Sequence, residues 1–328
     1  MIRRIVISLL TTLFLTTVSV ADAQQRGKIP RIGILSPSAP DRAPPENLEA
    51  FRQGLRDLDY VEGRNIILEY RWAENREDQY PALVAELIRL KVDIIYTSST
   101  PAALVAKQAT KTIPIVFPVS SDPVSVGIVD SLARPGGNAT GLSTMASDLW
   151  PKRMELLKEA FPKVSRLAMI WNSGNPGMKL RARETLASAA PLGVTIQDRG
   201  VPDLDGLESV FTTLSKNRPD ALLTMVDPFT RLHLKRILEF AAKNRLPAMY
   251  EDRSFVEAGG LISYGPWNAD LYRRSATYVD KILKGANPAD LPVEQPTRFE
   301  LFINLKTAKE LRFRIPPNVL ARADRVIK

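Results

Sequence analysis

The chain has 328 residues, 45% of them hydrophobic, with 45 Lys and Arg against 36 Asp and Glu, a net charge of +9, one histidine and no cysteine. Without cysteine there is no disulfide, no thiolate metal site and no lipid-modified thiol, so the fold rests on its core alone. Basic residues are interspersed with acidic ones and no block of five like charges occurs, which makes the charge a solvated surface and excludes a nucleic-acid partner from the expected ones.

The N-terminus reads as an export signal. Arg3 and Arg4 precede an uncharged, mainly apolar run from Ile5 to Val20, and Ala21-Asp22-Ala23 has the small-x-small pattern of a signal-peptidase site. The run is 16 residues long and carries six hydroxyls, whereas roughly 20 apolar residues are needed to span a bilayer. Cleavage after Ala23 would start a soluble periplasmic protein at Gln24 and leave 305 residues with a net charge of +8, enough for two domains.

Short β-branched runs then alternate with helical periodicity. Ile32-Gly33-Ile34-Leu35 is a first strand, and Leu48, Phe51, Leu55 and Leu58 mark the apolar face of a helix over 46–58. Strands are predicted at 65–72, 92–97, 115–117 and near Gly141, with helices at 79–90 and 101–109 between them. After the Pro135-Gly136-Gly137 turn the pattern starts again, with strands near 167–171, 195–197, 221–224 and 248–249 and helices near 176–190, 204–216 and 232–243. Such alternation builds parallel sheets with helices on both faces, so the fold class is α/β.

The second round repeats the first. Val92-Asp93-Ile94-Ile95-Tyr96-Thr97 leads through Thr100-Pro101 into a helix, and Ile113-Pro114 opens the next strand. Pro219-Asp220-Ala221-Leu222-Leu223-Thr224 leads through Asp227-Pro228 into a helix, and Leu246-Pro247 opens the next strand. Gly136-Gly137 and Gly259-Gly260 each precede a short apolar strand. Two similar lobes of about 120 residues follow, with a cleft between them.

Thr100-Pro101, Asp122-Pro123, Asn175-Pro176 and Asp227-Pro228 each place a capping side chain before a proline, after a strand and before a helix. In open parallel sheets ligands bind at these carboxyl ends of strands. Ser98, Ser99 and Thr100, with Thr100 as N-cap, could hold a carboxylate. Ser120, Ser121 and Asp122 repeat the idea on the next strand. Asp227, from the opposite lobe, could pair with a ligand amine, and Asn172, just past its own strand, is a further candidate. Ser36 opens a proline-stiffened wall, Ser36-Pro37-Ser38-Ala39-Pro40. Phe117, Phe229, Tyr250, Tyr264 and Trp267 are aromatic candidates, with Tyr250 and Tyr264 placed in the candidate site.

The stretches Glu49-Ala50-Phe51-Arg52-Gln53-Gly54-Leu55, Glu69-Tyr70-Arg71-Trp72-Ala73, Pro101-Ala102-Ala103-Leu104, Ser131 to Asn138 and Phe255 to Leu261 resemble the ABC transporter substrate-binding family often linked to tryptophan and tyrosine uptake. Tyr278 to Gly285, Phe299-Glu300-Leu301 and Ala308-Lys309 extend the resemblance over residues 28–328. It implies a type I periplasmic binding fold: two Rossmann-like lobes, three hinge crossovers and closure around a small ligand. Lobe one would comprise 30–144 with about 267–296, and lobe two 145–266 with about 297–328. The chain departs from the family at Glu310-Leu311-Arg312-Phe313-Arg314 and at Pro228, where amino-acid-binding members tend to have Asn. The partners implied are a small-molecule ligand, possibly an aromatic amino acid or related acid or amide, and an inner-membrane ABC permease with its separate ATPase. The protein itself would be a monomer. A sensor of the same fold serving a receptor kinase is the alternative.

Catalysis has little to stand on. There is no Gly-x-Ser-x-Gly elbow, no dinucleotide or Walker loop, no cysteine, and His233 alone cannot form a two-His metal set. No cofactor and no metal are expected, and Glu251-Asp252 read as a helix cap.

Overall fold

A computed structural model describes residues 28–39, 45–120, 122–145 and 148–328. The export signal and Ser121 lie outside the described residues. The first lobe runs β1 (Arg31–Ser36), α1 (Pro45–Arg56), β2 (Ile67–Trp72), α2 (Tyr80–Arg89), β3 (Ile94–Thr97), α3 (Thr100–Ala109), β4 (Ile115–Ser120) and β5 (Ala139–Ser143). Its five strands are all parallel, in the order β2-β1-β3-β4-β5. The strand sequences are apolar on both faces because both are covered. Leu35, Ile95, Ile115 and Phe117 enter one core, and Ile32, Ile34, Ile94, Tyr96 and Val116 the other.

The second lobe follows with α4 (Trp150–Ala160), β6 (Arg166–Asn172), α5 (Pro176–Ala187), β7 (Thr195–Val201), α6 (Leu204–Lys216), β8 (Ala221–Thr224), α7 (Pro228–Leu232), α8 (Leu234–Lys243), β9 (Ala248–Tyr250), α9 (Arg253–Glu257) and β10 (Ile262–Pro266). Then come α10 (Asn268–Leu283), β11 (Phe299–Asn304), α11 (Leu305–Glu310), α12 (Pro317–Leu320) and β12 (Arg325–Ile327). The seven-stranded sheet has the order β12-β11-β10-β9-β8-β6-β7, and β11 runs antiparallel to β10. Leu167, Met169 and Trp171 fill one face, Ala168 and Ile170 the other.

The duplication read from sequence is a duplication of topology: β2-β1-β3-β4-β5 is matched strand for strand by β7-β6-β8-β9-β10. Its two aspartates do the same work. Asp93, before β3, accepts the Arg31 N–H at the start of β1 (2.8 Å), and Asp220, before β8, accepts the Arg166 N–H at the start of β6 (2.8 Å). Each ties the open ends of two neighbouring strands together, where backbone donors would otherwise face solvent.

The chain crosses between lobes three times, after β5, after β10 and before β11. On the second crossing α10 returns to the first lobe and packs against α1. Gly54 permits it, since an added Cβ there would overlap the Arg273 carbonyl oxygen. The third crossing pairs Leu142 with Glu294, and the Ser143 N–H donates to the Glu294 carbonyl (2.8 Å).

Two sequence expectations change. Asp122-Pro123 starts a turn and not a helix, with the Asp122 carboxylate accepting the Ser125 N–H (3.0 Å). The predicted helix over 232–243 is broken at His233, which leaves the helical conformation and sets its ring edge-on to Phe229. Among the described residues no helix is long and apolar enough to cross a membrane.

Candidate functional site

A cavity of about 190 Å³ lies between the lobes at the carboxyl ends of their strands. In the first lobe, β1 runs out into the Ser36-Pro37-Ser38 wall, β2 ends at Trp72 and β3 ends before Ser98, Ser99 and Thr100, all lining the cavity. Tyr96 and Tyr272, from α10, complete an aromatic side. Trp72 and Tyr70 alternate to one face of β2 and stack at 5.9 Å, while the Arg52 guanidinium covers Tyr70 and donates to its hydroxyl (2.7 Å). This stack fixes the indole at the cleft.

The hydroxyl cluster is arranged differently from its sequence reading. Ser99, not Thr100, is the N-cap of α3, because the chain already turns helical at Thr100, with proline at the second helical position. The Ser99 oxygen accepts from the Ala102 N–H at 3.4 Å and meets the Tyr80 hydroxyl at 3.1 Å. Burial pushes the Tyr80 phenol up to about 12, so it stays a neutral hydrogen-bonding group.

The second-lobe wall carries the charge. Asp227 is the N-cap of α7 and 6% exposed. Its Oδ1 accepts the Thr230 N–H (2.9 Å), and its Oδ2 accepts Nδ2 of Asn172 (2.7 Å) and of Asn175 (3.3 Å). All these donors are neutral, and no ion pair among the described residues includes Asp227. Glu77, on the first lobe, has its carboxyl raised by burial and by the charge of Asp227.

Below Asp227, Glu251 joins three groups. One oxygen closes on the Arg181 guanidinium and lies 3.8 Å from Arg153; the other accepts the Val226 N–H (3.1 Å). Arg153 is fully buried, donates Nε to the Tyr264 carbonyl (2.7 Å) and lies over the Trp150 ring. Burial brings its guanidinium down to about 10; Glu251 opposes the fall and Arg181 adds to it. Gly265 makes room for this cluster, since a Cβ there would overlap the Glu251 carbonyl oxygen. Arg231 lines the cavity with NH1 donating to Ser254 (2.9 Å) and NH2 to Asp252 (3.2 Å). Asp252 caps α9 and also accepts Nδ2 of Asn268 at the start of α10 (2.6 Å), a hydrogen bond across the lobes.

Of the residues singled out from sequence, Ser36, Ser98, Ser99, Thr100 and Asp227 meet at this cavity. Asn172 stands behind Asp227 as its donor. The Ser120 side chain lies outside the described residues, and Asp122 faces a separate surface depression with Asp148 and Glu184. Tyr250 is core, 1% exposed and stacked on Phe255, because β9 is covered on both faces and its ring enters the core opposite Met249, beside Ala248. Tyr264 packs half-buried against the second-lobe core, and its carbonyl accepts from Arg153. Phe117 is core as well, Phe229 packs half-buried against the second-lobe core, and Trp267 lies under Arg298. Trp72, Arg153, Arg231, Glu251 and Tyr272 escaped the sequence reading as site residues. The Asp227 to Arg231 spacing was the available signal for one, and the Glu69 to Ala73 stretch for another. The described residues hold no group of three or more potential metal ligands.

The family model for ABC transporter substrate binding proteins matches residues 42–327. A tyrosine-binding protein of Clostridioides difficile is 27% identical over 263 residues, 80% of this chain and 75% of that protein. The ABC domain of Streptococcus pneumoniae in complex with L-Trp superposes with a TM-score of 0.84 at 26% identity, covering 92% of this chain and 100% of that one. The ligand-free, open form of a C. difficile substrate-binding protein with adhesive properties gives 0.68 at 25% identity, over 92% of this chain and all of that one.

Proposed function

We propose that this chain, which belongs to the ABC transporter substrate-binding protein family, is the solute-binding component of an importer and closes its lobes on an aromatic amino acid. The observation that carries the reading is Asp227: a buried carboxylate on the cavity wall, held by neutral donors and with no cationic partner among the described residues. Burying such a charge is costly unless a cation meets it, and a ligand ammonium supplies one. The aromatic side formed by Trp72, Tyr96 and Tyr272 suits a planar ring. The tyrosine- and tryptophan-binding relatives support the same class. At nearly equal identity, the better fit to the liganded structure than to the open one supports a closed arrangement of the lobes.

In this reading residues 1–23 are removed on export and the mature protein works in the periplasm as a monomer. It presents its closed form to a permease driven by a separate ATPase. Lobe one is 30–144 with about 267–296, and lobe two 145–266 with about 297–328. Ligand contacts made only in the closed state shift the population toward it. A thermal-shift panel of the twenty amino acids on the mature protein tests the reading. L-tryptophan or L-tyrosine should raise the melting temperature, since a ligand at 100 times its Kd stabilises by about 2.7 kcal/mol. A panel in which no aromatic amino acid shifts the transition overturns it.

A further inference from the structure

The proposed reading assigns the ligand's ammonium to Asp227 and leaves its carboxylate without a partner. In the first-lobe hydroxyl cluster, two of the three hydroxyls are already engaged. Ser99 is 3% exposed and its oxygen is engaged by Ala102 and Tyr80, while Ser98 is a hydrogen-bond partner of the Tyr272 phenol. Arg231 is the alternative. It lies one turn beyond Asp227, its own N–H donating to the Asp227 carbonyl (3.0 Å), and both side chains line the cavity.

A guanidinium has five N–H donors. Ser254 and Asp252 take two of those of Arg231, which holds the plane in place, and the others have no acceptor among the described residues. The groups facing it electrostatically are Asp252, Tyr272 and, from α1, Glu46. Asp252 also accepts from Ser254 and Asn268, so its charge is shared among several donors and does not cancel Arg231 alone.

We infer that Asp227 and Arg231 form one head-group clamp for a zwitterion, with Arg231 binding the ligand's carboxylate. The inference rests on the proposed ligand-binding role of the cleft and adds the residue that selects α-amino acids over amines of the same shape. Second-lobe α7 then holds both charges of the ligand while the first lobe closes over its side chain.

Isothermal titration of the full mature protein with L-tryptophan and with L-tryptophanamide, which keeps the ammonium and loses the carboxylate, tests this. Arg231→Gln should weaken L-tryptophan by on the order of 10- to 100-fold and leave the amide within about threefold of its wild-type affinity. Arg231→Lys should recover part of the loss, because the charge is kept and the fork is not. Should the amide bind wild type too weakly to measure, that partial recovery by Lys at an unchanged ligand-free melting temperature is the supporting result. L-tryptophan binding unchanged in Arg231→Gln overturns the clamp, as does an equal loss for acid and amide or an equal loss in the Gln and Lys variants. Wild type that binds no aromatic amino acid overturns the proposed function and the clamp with it.

Discussion

In the first lobe the helix after the third strand starts at Ser99, a neutral hydroxyl with one long cap bond and a tyrosine for company. In the second the equivalent helix starts at Asp227, a carboxylate surrounded by two asparagines and a reciprocal cap with Thr230. At the other end of the same strands the lobes agree, Asp93 and Asp220 making the same bond to the same neighbouring strand. The duplication is therefore kept where it holds strands together and abandoned where the strands open into the cleft. One lobe brings aromatic surface and hydroxyls to the cavity, the other brings charge, and a ligand with a ring at one end and a zwitterion at the other matches that division.

The sharpest break in the symmetry is Glu251. By the register of the repeat the first lobe has Pro118 at this position, followed by Val119, which packs against its core. Glu251→Ala would remove the carboxylate between Arg153 and Arg181 and take from buried Arg181 its ion-pair partner, at a cost of about 3–5 kcal/mol. Urea unfolding should register this as a lowered midpoint, and a loss below 1 kcal/mol would make the cluster incidental.

Acid should weaken the second lobe through two carboxylates. Burial alone would raise Asp252, but the Arg231 charge and the Ser254 bonds hold it below its ordinary 3.8. Burial would also raise Asp220, while the backbone N–H groups of Arg166 and Ser165 hold it down. A carboxyl with a depressed folded value adds stability that is complete above about pH 5, clear of the unfolded value, and is lost as pH falls through the folded value. Unfolding free energy should thus fall between pH 5 and pH 2, and Asp252→Asn should flatten the fall; identical slopes in variant and wild type would count against the Arg231 pair.

The smallest effects belong to the first-lobe helix start. Ser99→Ala should cost about 1 kcal/mol, the usual value of an N-cap, whereas Thr100→Ala should cost a few tenths. The reverse order in thermal unfolding would return the cap to Thr100.

The scaffold was legible in the sequence because it depends on local pattern. Apolar runs such as Ile32 to Leu35 and Ala221 to Thr224 have few ways to be buried on both faces, and the repeated Asp before β3 and β8 exposed the duplication. The site was legible where a local rule places a residue at a strand's carboxyl end, as for Asp227, Ser98 and Ser36. It was illegible where the fold decides. Tyr250 and Tyr264 follow their strands into the core, Asp122 begins a turn of its own, and Tyr272 reaches the cleft only because α10 crosses back to the first lobe. Arg153 and Glu251 meet across almost a hundred residues, which no spacing rule connects.

Whether lobe two reads the ligand's positive charge is measured most directly by titrating L-tryptophan into Asp227→Asn. The amide keeps the cap oxygen toward Thr230 and removes the charge, but it turns an N–H toward Asn172 and Asn175, so the ligand-free melting temperature is read beside the titration; with that temperature within a few degrees of wild type, binding should weaken by about 2–5 kcal/mol, the cost of removing one partner of a desolvated pair. Unchanged affinity in Asp227→Asn, with wild type binding L-tryptophan, would contradict the account.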